Sequence, residues 1–303
     1  MKILGIGFTN HDQSVCLIED EKIIFNIELE RITRIKHALY NGNNEDVYKI
    51  AKSISKEYKP DIIAYSFLGQ VLQDKKFDLY NIATKDKIKD LWFHVTEKNL
   101  YYIDHHQAHA SYALFTSPFK RSDILVYDGS GLNFSSVFFN RDGVLEDLSH
   151  FKIGVVWGKL AVMSFGKLQE GKLMGLSAYG KENAEIYNLL KRRMFPFEEK
   201  KISKFFEKIL NRFELKDIAY NLQRVSEEET LKILKERKTS DFLCLSGGVA
   251  LNGYINKYIE DSKLYKEIYI PPACNDSGLA LGAALHANYI LNNKRVKNNI
   301  AFI

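Results

Sequence analysis

Apolar positions at the start of the chain alternate and cluster with the short period of β-strands. Ile3 to Phe8 is an apolar run containing glycine, and Ser14 to Ile18 follows the polar turn Thr9-Asn10-His11-Asp12. Lys22 to Ile27 forms a third run beyond the turn Glu19-Asp20-Glu21. From Asp46 to Tyr58 the spacing changes: Val47, Ile50, Ala51 and Ile54 fall on one helical face, and Asp61 to Ser66 returns to a buried strand. Hairpin-linked strands followed by crossover helices and another strand predict a mixed sheet with helices on its faces.

The theme resumes at Leu100 to Ile103, with a helix from about His105 and a strand at Asp123 to Tyr127. After Asp128-Gly129-Ser130-Gly131, the runs Ser135 to Phe139 and Val144 to Leu148 flank Arg141-Asp142-Gly143 and read as a hairpin. Residues 154–237 read as mostly helical, followed by a strand at Phe242 to Leu245, a helix at Gly253 to Asp261 and a strand at Glu267 to Ile270. A small-residue helix at Ser277 to Leu291 completes the pattern. Strand–turn–strand units near Phe8 and near Asp128 suggest two related lobes without a residue-level repeat. The expected division is residues 1–150, residues 151–291, and a polar tail or linker at 292–303.

Composition narrows the class. At 303 residues the chain can form two packed lobes, and 46% hydrophobic with 27% charged residues is ordinary for a globular protein. The net charge of +5 is mild and its lysines are dispersed, so nucleic acid is not an expected partner. Cys16, Cys244 and Cys274 lack both metal-pair spacing and a disulfide framework, which fits a reducing cytosol. No apolar run approaches the ~20 residues of a membrane span.

The sharpest chemical feature is Asp104-His105-His106-Gln107-Ala108-His109-Ala110. His105 and His109 stand four apart, one helical turn, so both imidazoles can meet one cation. Asp128 and Asp276, each just after a strand, could complete a two-His, two-Asp set suited to Fe(II), Mn or Zn. On spacing alone, a polar helix start capped by Asp104 with solvated histidines is the commoner outcome. Glycine turns at Asp128–Gly131, Ser246–Asn252 and Asp276–Gly278 stand at strand ends, where open sheets bind nucleotides. Glu170 to Gly180 carries three glycines, which predict a broken helix or a helix–helix corner, with Lys172 able to face phosphate. Glu28 to His37 mixes charges as a solvated helix face does.

Taken together, the segments resemble one family. Ile3-Leu4-Gly5-Ile6 leading to His11-Asp12, Glu30-Arg31 with Lys36-His37, and the HHQAHA, DGSG, EGKLMGLSAYG, SGGVALN and DSGLALGAA segments resemble, in order, the O-carbamoyltransferases of antibiotic and nodulation-factor biosynthesis. The resemblance implies an α/β fold with two ribonuclease-H-like lobes of the actin/sugar-kinase superfamily around a central cleft. It implies His105, His109, Asp128 and Asp276 as ligands of Fe(II), with Zn or Mn as alternatives. It places Gly129, Ser130, Gly131, Gly247, Gly248 and Asn252 against an adenylate, with Lys36 and Lys172 as phosphate partners. The implied reaction moves a carbamoyl group from carbamoyl-adenylate to a small-molecule hydroxyl and releases AMP. His11 and Asp12 are the candidate proton acceptors, against turn-forming and surface roles. Such enzymes usually carry a further domain that makes carbamoyl-adenylate, so the expectation is either a separate donor-forming partner protein or a longer chain from which that domain has been removed. Competing expectations are a threonylcarbamoyl transferase acting on tRNA, a sugar kinase, and a non-catalytic adenylate-binding subunit.

Overall fold

The computed structural model describes residues 1–9, 11–38, 45–67, 100–129, 135–148, 150–194 and 199–296. Strands β1 (Lys2–Phe8), β2 (Ser14–Glu19) and β3 (Lys22–Glu28) form an antiparallel meander. Helices α1 (Leu29–Thr33) and α2 (Glu45–Tyr58) lead to β4 (Ile62–Phe67), which pairs parallel with β1, and β5 (Leu100–Tyr102) pairs parallel with β4. The sheet order is β3-β2-β1-β4-β5.

Helix α3 (His105–Thr116) follows, and the pattern then repeats. Strands β6 (Asp123–Tyr127), β7 (Ser136–Phe139) and β8 (Leu145–Asp147) form a second antiparallel meander. Helices α4 (Ile153–Phe165), α5 (Glu170–Ser177), α6 (Ala184–Met194), α7 (Glu199–Leu210) and α8 (Leu215–Arg237) intervene. Strand β9 (Phe242–Ser246) then pairs parallel with β6, and after α9 (Gly253–Asp261) comes β10 (Glu267–Tyr269), parallel to β9. The second order, β10-β9-β6-β7-β8, is the first one repeated, with β6 in the place of β1. The strands therefore do not divide at residue 150: residues 123–147 belong to the second sheet, because β6 pairs with β9 rather than with any strand of the first.

Three apolar layers hold the described residues together. Leu4, Ile6 and Phe8 on one face of β1 pack with Leu29, Val47 and Ala51 of α1 and α2. The opposite face, with Ile3, Cys16 and Ile18, joins a central core containing α3, the final helix α10 (Leu279–Asn292), and Ile124, Val126, Val137 and Phe139 of the second sheet. The outer face of that sheet, through Leu125, Tyr127 and Phe138, packs against the helices of residues 153–259. Strands buried on both faces read as continuous apolar runs, which is why β1 and β6 are legible in the sequence. Helices α3 and α10 lie between the two sheets, and an added Cβ at Gly282 of α10 would stand 2.1 Å from the Ala108 carbonyl oxygen of α3. Among the described residues no helix is long and apolar enough to cross a membrane.

Candidate functional site

Helix α3 begins at Asp104, whose carboxylate accepts from the backbone N–H of His106 (2.9 Å) and Gln107 (3.2 Å). That cap fixes the first turn, and every residue from His105 to Thr116 is buried. The solvated-histidine expectation fails because the helix is enclosed between two sheets. His105 and His109 stand one turn apart in an edge-to-face arrangement, with ring centroids separated by 4.8 Å. Asp128, just after β6 of the second sheet, and Asp276, in the 3-10 turn ahead of α10, meet them. His105 Nε2 lies 2.9 Å from Asp128 Oδ2 and 3.6 Å from Asp276 Oδ1. His109 Nε2 lies 3.3 Å from Asp276 Oδ1 and 3.6 Å from Asp128 Oδ2. The four candidate ligand atoms all fall within 4.8 Å of one another.

This arrangement fits a metal ion. Each Nε2 faces both carboxylates, yet a ring nitrogen carries one proton, so protons can serve only half of the four contacts. Metal bonds of about 2.1 Å place neighbouring ligand atoms roughly 3.0–3.4 Å apart, close to the spacing seen here. The surroundings orient the ligands. Asp128 Oδ1 accepts from the backbone N–H of Gly129 (2.7 Å) and Gly248 (3.1 Å), leaving Oδ2 toward the histidines. His109 Nδ1 lies 3.4 Å from Ser246 Oγ. Burial works against the charge of His109, but its contacts with Asp128 and Asp276 outweigh it and push its pKa up to about 9. Burial likewise works against ionised Asp128, and the two histidines overcome it, holding that carboxyl well below the usual range. His106 is the opposite case: burial, then the neighbouring His105, pushes it down to about 3, so it stays neutral.

Asp128 and Asp276 line a cleft of about 570 Å³, bordered also by His11, Lys36, Lys172, Trp157, Met174 and Asn252, while His105 and His109 are fully buried against these two carboxylates. Lys36 and Lys172 thus reach the same cavity from opposite halves of the chain. Ser130 and Gly131 lie outside the described residues. Gly129 and Gly248 line the cleft, but their amides are taken by Asp128, so they orient a ligand rather than offer free donors. Gly247 serves the backbone instead, since at φ +90° an added Cβ would sit 2.5 Å from the Tyr127 carbonyl oxygen. Asn252 caps α9, its Oδ1 accepting from Tyr254 and Ile255 N–H, while its Nδ2 donates to Gln223 Oε1 at 2.9 Å.

Two segments differ from expectation. Glu170 to Ser177 is a continuous helix despite Gly171 and Gly175, with Leu173 and Ser177 buried, and the expected helix–helix corner falls at Gly180, between α5 and α6. Glu28 to His37 is no solvated helix: α1 spans five residues, and the following 3-10 turn drives His37 inward. His37 Nδ1 lies 2.9 Å from Asp12 Oδ1, and His11 Nδ1 lies 3.0 Å from Asp12 Oδ2. The His37 backbone N–H donates to Glu30 Oε2 at 2.8 Å. His11 is pushed up to about 9: burial opposes its charge, but the bond to Asp12 and the charges of Asp276, Asp12 and Asp128 prevail. Sequence reasoning gives Asn275 no role, and it names Glu30 and His37 only within the Glu30-Arg31 and Lys36-His37 motifs that carry the resemblance.

A family model described as "Carbamoyltransferase N-terminus" matches residues 2–96 and 66–285 of this sequence. The chain belongs to that family. This carbamoyltransferase N-terminal chain is 26% identical to the nodulation protein NolNO of Sinorhizobium fredii, over 91% of its own length and 46% of that protein's. It is also 26% identical to an uncharacterized protein of Methanocaldococcus jannaschii, over 94% of its own length and 62% of the other's. The chain thus spans about half the length of the curated relatives it matches. Among solved structures, the activator of 2-hydroxyisocaproyl-CoA dehydratase from Clostridium difficile with bound ADPNP aligns with a TM-score of 0.59 at 14% identity, covering 99% of this chain and all of that one. Full-length HypF in its phosphate- and nucleotide-bound form aligns at 0.53 and 15% identity, covering 98% of this chain and 56% of that one. These likenesses show the fold alone, an α/β fold shared with both of those structures.

Proposed function

We propose that this chain transfers a carbamoyl group from carbamoyl-adenylate to the hydroxyl of a small-molecule acceptor, with a metal ion held by His105, His109, Asp128 and Asp276. The carrying observation is the convergence of these four buried side chains, of which Asp128 and Asp276 line a cleft shared with Lys36 and Lys172. Family membership supports carbamoyl chemistry, and the donor set favours Fe(II), with Zn or Mn as alternatives. When bound, such an ion supplies Lewis-acid stabilisation of negative charge on the carbonyl or phosphate oxygen.

The residues of the chain account for the rest. The acceptor oxygen forms a new bond to the carbamoyl carbon, the bond from that carbon to the phosphate oxygen breaks, and its electron pair leaves with AMP. The hydroxyl proton passes to His11, which lines the cleft. Lys36 and Lys172 neutralise the departing phosphate. The apolar wall of Trp157, Leu168, Met174 and Val249 restricts water, which would otherwise compete for the donor. Carbamoyl-adenylate is supplied by an adenylate-forming activity, carried on the same polypeptide or on a partner protein.

The test begins with metal analysis of anaerobically purified protein beside a His105→Ala/His109→Ala variant. About one Fe, Zn or Mn per chain is expected, and its loss in the variant. AMP release is then followed from enzymatically made carbamoyl-adenylate with a panel of hydroxyl acceptors. Absence of metal in both proteins, even after reconstitution, would remove the proposed centre.

A further inference from the structure

The geometry points to Asp12 and His37 as a positioning pair for His11: Asp12, anchored by His37, holds the Nδ1 proton of His11 and leaves Nε2 as the basic atom. The inference rests on His11 being the proton acceptor of the proposed transfer.

The Asp12 carboxylate serves three donors. His11 Nδ1 and Asn275 Nδ2 meet Oδ2 at 3.0 and 3.2 Å, and His37 Nδ1 meets Oδ1 at 2.9 Å. A carboxylate accepting three hydrogen bonds is a weak base, which makes Asp12 an orienting group rather than the proton acceptor itself. With both imidazoles donating through Nδ1, each neutral ring is confined to the tautomer whose lone pair is on Nε2.

The backbone is committed to the same contact. The Asp12 N–H donates to the His37 carbonyl oxygen at 2.6 Å, so the two residues are tied through main chain as well as side chain. Both adopt the left-handed conformation, at φ 54° and 61°, which non-glycine residues seldom hold unless their surroundings fix them. Glu30 secures the far side by accepting the His37 N–H. Asn275, adjacent to the ligand Asp276, joins the pair to the metal loop, so the base and the four-ligand centre share one frame.

Asp12, Glu30 and His37 could also surround a cation, since their candidate ligand atoms lie within 4.8 Å of one another. The hydrogen bonds already account for that convergence, and the experiment separates the two. Zinc-loaded protein with 15N-labelled histidine is compared with Asp12→Asn, His37→Leu and His37→Asn by long-range 1H–15N correlation. His37→Asn retains an N–H near the place of Nδ1 and tolerates the left-handed backbone.

At a pH above about 9, where the ring is neutral, the wild type is expected to show His11 as the Nδ1–H tautomer. Asp12→Asn and His37→Leu should lose that single tautomer, and His37→Asn should restore it, with about one zinc per chain throughout. In turnover, kcat should fall roughly 10–100-fold in the first two variants, with KM for carbamoyl-adenylate unchanged, and recover in His37→Asn. An unaltered His11 tautomer in all variants would overturn the assignment. So would a second zinc per chain that disappears in His37→Leu. If the wild type makes no AMP, the functional reading fails, while the tautomer measurement still decides the positioning role.

Discussion

Asp128 gives its two oxygens different work, one to the amides of Gly129 and Gly248 and the other to the histidines. Such sharing is invisible in a sequence, where Asp128-Gly129 reads only as a turn. His11 offers a pH signature. It must be neutral to accept a proton, so the rate of AMP release should rise with pH. Part of its shift to about 9 comes from Asp276 and Asp128, whose charge a bound cation would offset. The midpoint is therefore expected between the ordinary ~6.5 and about 9. A rate that falls from pH 6 to 10 would exclude His11 as the base. The sign for stability is opposite. Because the folded pKa is raised, the contribution of the charged ring is complete below ~6.5 and is lost as pH climbs through about 9.

Helix α3 concentrates the chemistry because its first turn is held from three sides: by the Asp104 cap, by its neighbour α10, and by the sheet strands that carry Asp128. Replacing Asp104 with Ala removes the acceptor of two buried N–H groups. A loss of ~1–2 kcal/mol is expected in urea denaturation. Metal affinity should fall about tenfold or more, read by chelator competition, because both histidines lean on that turn. Unchanged affinity would mean that the cap does not set ligand geometry. At this scale the sequence is legible wherever burial imposes a period, as in β1, β2, α2, β6 and β9. It is not legible at Glu170–Ser177, where contacts of one face outweigh the helix penalty of two glycines. Nor is it fully legible at Glu28–His37, where Arg31, Arg34 and Lys36 are exposed as charges suggest but Glu30 and His37 turn inward.

At the scale of the whole molecule, each sheet receives the helix that follows the other: α3 leaves the first sheet and packs on the second, while α10 returns to the first. This exchange brings Asp276 beside His109, although 167 positions separate them in the chain. Gly282 permits the crossing, and Gly282→Ala would place a methyl against the Ala108 carbonyl at a distance no packed contact tolerates. A destabilisation of ~2 kcal/mol or more is expected by thermal or chemical unfolding, with weakened metal binding because α3 and the Asp276 turn separate. Native stability with full metal affinity would show that the helices can part freely. By itself the sequence determined the strands, most helices, the histidine pair and the family resemblance, because burial period and local motifs act over a few residues. It also named the two aspartates from an expected strand before each, although only Asp128 directly follows one, and Asp276 opens a 3-10 turn beyond β10. Only the tertiary structure decided that the second sheet begins before residue 150, that the two sheets share one order, and that Asp12 faces His37. Those outcomes depend on strand pairing and helix crossing between distant segments, which no local pattern of residues encodes.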